Sequence, residues 1–558
     1  MSLVTGLLRP CIRRRRARFK RPLRHADSPS VERPRDTRAW YAALVGAVVL
    51  AAMAVTNARV LTSDTFYSLY SGRLISEHGL PRTDTLTVAG HGRPWIDQQW
   101  LAHVLLYDTW RVGGYPLVGL LSAASIGLAF GILALALLRR GTSPVRTVLW
   151  CTIAFFVCQP NTATRAQSFA YPLFVALMCV LLADEDRPDW SPRLLLLVPL
   201  LALWGNLHGS VVLGSALATG YLAWRALCGA YERRPRTSLA YLATGAAAAA
   251  AAFATPYGAE IFGYYRSVLD NPALKTASAE WQATSFSPAN LQFILLALLL
   301  VSVASLGARR RFRPSPLLVA LCVILGAAAV ESVRNQTWFA FPAVAFVTAT
   351  LSTQVAASPP SIRRPRGIAA LGLLALLADV GFVAFALSGP ATERLQVLLL
   401  FVGTVLGVAL LDLGRMRRAL ILGTALAATG GVLALLTTST ADFERLTPRA
   451  AVASTIRYAG EHPAERVLAD DFGSGPLLWR APALAGRVEL DSRFEVFRPA
   501  DLERYASFVR GDRGPLDGSG IVLVSDFQNP VLARRMLGLS GWRELAGDTA
   551  GSVFVRRP

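Results

Sequence analysis

Lysine is almost absent from this chain: Lys20 and Lys275 are the only two among 57 basic residues, and the rest are arginine. Together with its richness in Ala, Leu, Val and Gly, this bias is that of a GC-rich bacterial genome. Cysteine is scarce too. Cys11 stands in the N-terminal tail, and Cys151, Cys158, Cys179, Cys228 and Cys322 fall in apolar segments. Neither a disulfide framework nor a Cys-type metal site is expected from that spacing. A phosphate-cradling Gly-rich loop, a zincin His pair and a suitably placed Gly-x-Ser-x-Gly elbow are all missing, so ATP hydrolysis has no support. There is no short basic n-region ahead of an apolar core. The first apolar run begins near Trp40, behind a polar, Pro-rich stretch, and is expected to remain as a signal-anchor helix.

What the chain has in abundance is apolar sequence. Of its 558 residues 53% are hydrophobic, and mean hydropathy is +0.41, which marks an integral membrane protein. Apolar blocks run at 40–61, 116–138, 147–160, 166–183, 194–207, 210–228, 238–255, 291–307, 315–331, 336–353, 367–388, 395–413 and 419–437. These give about thirteen candidate spans, since a crossing takes about 20 apolar residues, or slightly fewer in a bundle.

The net charge of +21 is concentrated in connections rather than spread over a surface. Arg13 to Arg16, Arg18, Lys20 and Arg21 load the tail. The later basic connections are Arg139 to Arg146, Arg233 to Arg236, Arg309 to Arg313, Arg363 to Arg366 and Arg415 to Arg418. With the block boundaries above, all fall on the side of the tail, which assigns that side to the cytoplasm. The tail is expected to lie against anionic lipid, and no nucleic-acid partner is expected.

The expected organisation follows. Residues 1–38 form a disordered basic cytoplasmic tail, 39–438 a transmembrane domain, and 439–558 an extracytoplasmic α/β domain. Two long outer loops are expected, at 62–114 and 255–290. In the last segment, 466–470, 487–491 and 521–525 read as short strands, while 500–508 and 530–537 have helical spacing.

The unusual polar residues fall on the outer side. Asp64 stands where the first helix leaves the membrane, a place suited to taking a proton from an acceptor hydroxyl or to holding a divalent ion; a plain helix-end aspartate is the alternative. Phe66, Leu69, Tyr70, Arg73, Leu74 and Glu77 share helical spacing, as in an interfacial helix meeting a lipid-borne substrate or in a packing helix. Arg165 and Arg334 suit a phosphate or pyrophosphate, with snorkelling or an internal pair such as Arg334 with Glu331 as the alternative. Asn206, His208 and Asn335 lie at the same outer ends, and Asp84 in the first outer loop. No motif requires a cofactor; a divalent cation (Mg or Mn) is the candidate.

Several stretches together carry a resemblance. They are Asp64 with Gly72, Gly79-Leu-Pro81 and Asp84; Trp95 and Trp100-Leu101; Arg165-Ala-Gln167; Trp204-Gly-Asn-Leu-His-Gly209; Arg334-Asn335; and, near the C-terminus, Asp471 to Trp479 followed by Val488 to Arg493. On these the chain resembles bacterial membrane glycosyltransferases of the GT-C fold, similar to dolichyl-phosphate-mannose-protein mannosyltransferases, over most of 40–558. The resemblance implies a polytopic α-helical membrane protein, GT-C-like, with about 13 transmembrane helices and a small C-terminal extracytoplasmic α/β domain. It implies transfer of a hexosyl or pentosyl group from a polyprenyl-phosphate-linked sugar donor to an envelope glycan, lipid or protein acceptor outside the plasma membrane.

By the same resemblance Asp64 is the catalytic base or metal ligand, assisted by Asp84. Arg165 and Arg334 meet the leaving phosphate, and Asn206 and His208 line the sugar pocket beside Glu331 and Asn335. The chain departs from the family pattern where Thr65 follows Asp64 and where Gln99 precedes Trp100. The second carboxylate is then Asp84 or Asp97, or one suffices, or this member is inactive. A transporter or flippase of lipid-linked sugars or lipids, and a non-catalytic envelope-assembly scaffold, are the competing readings.

Overall fold

The computed structural model describes residues 35–271, 273, 278–287, 290–309, 314–352, 400, 402–409, 417–512, 516–526 and 529–557. The expected span at 367–388 and most of that at 395–413 lie outside the described residues, as does nearly all of the tail. Among the described residues the chain is a helical bundle followed by a four-stranded sheet with helices.

The bundle opens with α1 (Arg35–Ala54), α2 (Ser63–His78), α3 (Trp100–Arg139) and α4 (Pro144–Cys158). It continues through α5 (Ala170–Glu185), α6 (Leu197–Leu207), α7 (Val211–Tyr231), α8 (Pro235–Ala252) and α9 (Ile261–Leu269). The last members are α10 (Leu291–Arg309), α11 (Pro316–Glu331), α12 (Gln336–Ser352) and α13 (Arg417–Leu436). Prolines open α4, α8 and α11 at the first turn, where their missing N–H breaks no helical bond. Within α3 the backbone leaves helical geometry at Gly113 and Gly114, so an amphipathic first part joins an apolar second part across a kink.

Among the described residues six helices are long and apolar enough to cross a membrane: Thr37–Ala54, Trp100–Arg139, Ala166–Glu185, Val211–Tyr231, Leu291–Ala308 and Arg418–Leu436. Pro192–Leu207 and Pro316–Glu331 are shorter apolar helices. The chain is thus a multi-pass membrane protein. α1 is enclosed by α3 and α13, and it approaches α3 closely because both offer glycine. A Cβ on Gly46 would lie 2.9 Å from the Gly127 carbonyl oxygen, and one on Gly127 2.6 Å from that of Gly46. Where lipid removes the hydrophobic incentive to associate, such backbone approach supplies packing. Cys151, Cys158, Cys179 and Cys322 are free thiols.

The two ends of the bundle differ. At one end Arg140 bonds the Leu182 carbonyl (2.9 Å), Arg234 pairs with Asp189 (2.6 Å) and Glu185 accepts from the Leu317 N–H (3.0 Å). The basic connections around 139–146 and 233–236 meet there. A buried network, Asp184 with Arg225 (2.6 Å) and Tyr221 (2.7 Å), closes the same end. At the opposite end Asn57 bonds Gln159, Trp100 bonds Asn206, and Thr284 bonds Val330.

After α13 the chain forms α14 (Arg449–Glu461), β1 (Val467–Ala469), α15 (Asp471–Arg480), α16 (Pro499–Arg510), β2 (Ile521–Ser525), α17 (Pro530–Leu537), β3 (Trp542–Asp548) and β4 (Gly551–Arg556). The sheet order is β1-β2-β4-β3; β1 runs parallel to β2, and the other pairs are antiparallel. Ile521, Leu523, Val553 and Val555 face a core continuous with the helical bundle, while Val522, Val524 and Phe554 face Phe508, Leu532 and Met536. This is the period of two of a sheet covered on both faces.

The run 487–491 is not a strand. It joins the sheet by single bridges, Val488 to Val467 and to Thr87, and so carries the first long loop onto the sheet edge. The β3–β4 hairpin adds two strands that the sequence pattern does not predict.

Candidate active site

Asp64 owes its position to the start of α2. Thr62 and Thr65 form a capping box there, and the Thr65 hydroxyl donates to the Thr164 carbonyl at 2.7 Å. That bond pins the N-terminus of α2 to the turn before α5, and Arg165 of this turn reaches Asp64. Its Nη1 lies 2.8 Å from Asp64 Oδ2 and 2.7 Å from Glu280 Oε1. Glu280 is held by its own backbone: its carbonyl accepts from the Ser332 hydroxyl at 2.8 Å, and the next turn continues with Val333 N–H to Gln282 O at 3.1 Å. The Arg334 guanidinium lies over the neighbouring Trp281 ring at 4.4 Å.

The charges balance locally. Burial would push the Glu280 carboxyl up, but Arg165 and then Arg334 outweigh it and hold it below the usual range. Burial lowers Arg334, and Arg165 adds to this while Glu280 opposes it. Arg165 uses only Nη1; its Nε and Nη2 are buried without a hydrogen-bond partner. Those two N–H groups form the side-on fork that matches two oxygens of a phosphate or carboxylate. Asp64 remains 37% exposed, so the carboxylate is reachable from outside the cluster.

The C-terminal segment closes over this group. α15 packs on α2 at Gly475, where a Cβ would stand 3.1 Å from Phe66 Cβ and 3.4 Å from the Ser63 carbonyl oxygen. At the far end of α15, Arg73 donates to the carbonyls of Leu478 and Trp479, both at 2.9 Å, and lies over the Trp479 ring. α2 is thus largely a buried packing helix. The docking brings Asp471 into the field of Asp64 and Glu280. Burial first, and then Asp64 and the neighbouring carboxylates, hold the Asp471 carboxyl well above its usual range, and its Oδ1 has no partner.

Other expected site residues are placed as follows. His208 is buried and neutral, held low by burial and then by Arg334 and Arg165; its Nδ1 accepts from the Ser210 N–H at 3.1 Å. It belongs to the neighbourhood of Arg165 and Arg334. Asn206 bonds Trp100 Nε1 (2.9 Å) and the Ala202 and Ala254 carbonyls, which braces three segments. Asn335 donates to the Ala328 carbonyl at the end of α11, and Glu331 is exposed there.

Asp84 is not in the cluster. It is fully buried, 2.8 Å from Arg493 Nη2, and Arg493 Nε is 2.7 Å from Asp491. This network, with Arg493 over Trp95 at 4.1 Å and Tyr70 bonded to Asp491, fastens the first long loop to the C-terminal segment. Asp97 is buried with His103 at 2.8 Å.

Glu280, Trp281 and Asp471 were not singled out from sequence. The length of the 255–290 loop was the only signal for the first two. The Asp471–Trp479 stretch carries the family resemblance, but nothing in it marks its first residue as a neighbour of Asp64.

Among the described residues no three His, Cys, Asp or Glu side chains converge with metal-ligand geometry, and Asp64 and Glu280 both turn an oxygen to Arg165. The residues present do not fit a divalent cation.

No family model and no curated protein matches the chain. Among solved structures it is similar to ArnT from Cupriavidus metallidurans bound to undecaprenyl phosphate, at 14% identity and TM-score 0.46, covering 92% of this chain and 97% of that one. It is also similar to the Archaeoglobus fulgidus oligosaccharyltransferase in the apo form, at 11% identity and TM-score 0.43, covering 86% and 69%. A third is AglB from Archaeoglobus fulgidus with an inhibitory peptide and a dolichol-phosphate, at 10% identity and TM-score 0.44, covering 92% and 74%. The similarity assigns no residue.

Proposed function

We propose that the protein is a GT-C-type glycosyltransferase that moves a hexosyl or pentosyl group from a polyprenyl-phosphate donor to a hydroxyl acceptor, an envelope glycan, lipid or protein, on the outer face of the plasma membrane. The observation that carries this reading is the pairing of an exposed carboxylate with an unsaturated arginine fork: Asp64 at 37% exposure, and Arg165 with Nε and Nη2 unpartnered. Asp64 takes the proton of the acceptor hydroxyl as its oxygen bonds to the anomeric carbon. The bond from that carbon to the phosphate oxygen breaks, and its electron pair leaves on the lipid phosphate. Arg165, through the free fork, and Arg334 stabilise the charge that builds there. Arg165 also holds Asp64 in place, so one residue serves base and leaving group.

The site end is taken as outer because the described basic connections meet at the opposite end. In this reading Asp84 serves by fixing the first outer loop, the extracytoplasmic segment from 439 caps the site, and no step passes through a metal. The described charged clusters lie toward the two ends of the bundle rather than at its middle, which favours an enzyme over a carrier with alternating access. The test is incubation of the protein in lipid with radiolabelled polyprenyl-phosphate mannose, glucose and arabinose, with envelope extract as acceptor source. Release or transfer of label supports the reading; neither binding nor turnover of any donor contradicts it.

A further inference from the structure

The long loop at 255–290 opens at the outer end of α8. That helix starts at the basic connection 233–236 and ends beside Gly205, where Asn206 Nδ2 donates to the Ala254 carbonyl at 2.9 Å. Its 18 residues extend about 27 Å, close to the roughly 30 Å of a hydrocarbon core. Leu239, Leu242, Ala246 and Ala250 are exposed at helical spacing and form an apolar outward face. In a multi-pass membrane protein such a face meets lipid. The face runs on to Phe253, three residues past Ala250, and from there to α9: the Phe253 and Phe262 ring centroids are 4.7 Å apart.

α9 has two distinct faces. Ile261 is buried, and Val268, seven residues on, packs against the cluster that holds Phe494, Phe497 and Leu502 of the C-terminal segment. Phe262 and Leu269, also seven apart, share a second face and are 56% and 71% exposed. Arg266 follows Phe262 by one helical turn. Its side chain is exposed, and its Nε lies 3.9 Å from Asp270. A long basic side chain of this kind lays its stem along apolar surface and keeps its head among polar groups. Large apolar residues on one face, charge at the edge and a lipid-facing helix alongside are the makeup of an interfacial helix.

The other end of the loop is built alike. The Thr284 N–H donates to the Val330 carbonyl at 2.9 Å, which fixes the chain at the outer end of α11. Two residues on, Phe286 is 94% exposed. α10 begins five residues later, and its Leu291, Leu295 and Leu298 are exposed along one face. In water Phe262, Leu269 and Phe286 would keep most of their apolar surface wet; acyl chains remove that cost. Between them in sequence stands Glu280, bonded to Arg165. We propose that Phe262 and Leu269 of α9, and Phe286, insert into the outer leaflet of the bilayer, so that the loop carrying Glu280 is moored to the membrane surface at both ends. This placement goes beyond the glycosyltransferase reading and requires none of its chemistry.

The test puts the photoreactive side chain of benzoylphenylalanine in place of Phe262, Leu269 or Phe286 in the full chain. Two further positions serve as references: Leu298 on the outward face of α10, and Arg543, exposed on β3 at the sheet edge away from the first long loop. Each variant is reconstituted in nanodiscs of phosphatidylethanolamine and phosphatidylglycerol, checked for a wild-type unfolding temperature and irradiated, and lipid adducts are measured by mass spectrometry. All three positions are expected to capture lipid at a yield like that at Leu298 and about tenfold or more above that at Arg543. A yield at the Arg543 level at any of the three overturns the proposal. Cross-links to a second copy of the chain in place of lipid assign the surface to self-association and overturn it as well. Neither result bears on sugar transfer, which is measured separately.

Discussion

Arg165 Nη1 lies 2.8 Å from Asp64 Oδ2, across a sequence separation of 101 residues, and 2.7 Å from Glu280 on its other side. One nitrogen thus joins the first helix after the first span, the turn before α5 and the long loop before α10. The remaining two nitrogens of the same side chain stay unspent, and this division of labour underlies the predictions.

Replacing Arg165 with lysine keeps a charge but removes the fork. Transfer is expected to fall by about 10²–10³, the usual cost of losing a donor at developing negative charge. Donor binding should weaken far less. The check is steady-state transfer alongside binding of bare polyprenyl phosphate. A variant as active as wild type would remove Arg165 from the leaving-group role.

Arg493→Met leaves Asp84 and Asp491 buried without their cation. The cost is expected to be about 3–5 kcal/mol, seen as a lower unfolding temperature in detergent. Asp84→Asn should act in the same direction with a smaller effect, since Thr87 and the Leu86 N–H still reach it. If Asp84→Asn abolished transfer while leaving thermal stability intact, Asp84 would be chemical rather than structural.

Stability should decline as pH rises from acid to neutral. Burial pushes the Glu495 carboxyl from 4.5 up to about 7. Below pH 4.5 both folded and unfolded chains hold this proton; between there and about 7 the unfolded chain releases it first, so folding loses free energy, and above that the loss is constant. Asp470, pushed by burial up to about 6, adds a slope of the same sign. Glu495→Gln should remove its own share, on the order of 1–3 kcal/mol at pH 8, and leave that of Asp470. Unfolding temperatures of the two proteins from pH 4.5 to 8 provide the check; parallel curves would mean that Glu495 is ionised in the folded state.

Much of the scaffold is legible in the sequence because periodicity and turn chemistry are local. The apolar blocks from 40–61 to 336–353 and that at 419–437 coincide with helices, and 521–525, apolar over its first four positions, is the doubly covered strand. The site is legible only in part. Asp64, Arg165 and Arg334 stand out because charge beside an apolar run is costly and conspicuous. Glu280 and Asp471 sit in polar stretches where a carboxylate raises no question, and only docking of the 279–284 loop and of α15 gives them neighbours. Asp84 misleads for the opposite reason: its partner Arg493 lies 409 residues away, and no local pattern reveals the pair. The 487–491 run has the composition of a strand, yet its partners are a single residue of β1 and a loop.

The most direct test is transfer of radiolabelled sugar from polyprenyl phosphate by wild type and by Asp64→Asn, both reconstituted in lipid and matched for unfolding temperature. The account predicts transfer by wild type and a loss of about 10²–10⁴ in the variant, with bare polyprenyl phosphate still bound. Transfer at the wild-type rate by Asp64→Asn would contradict it.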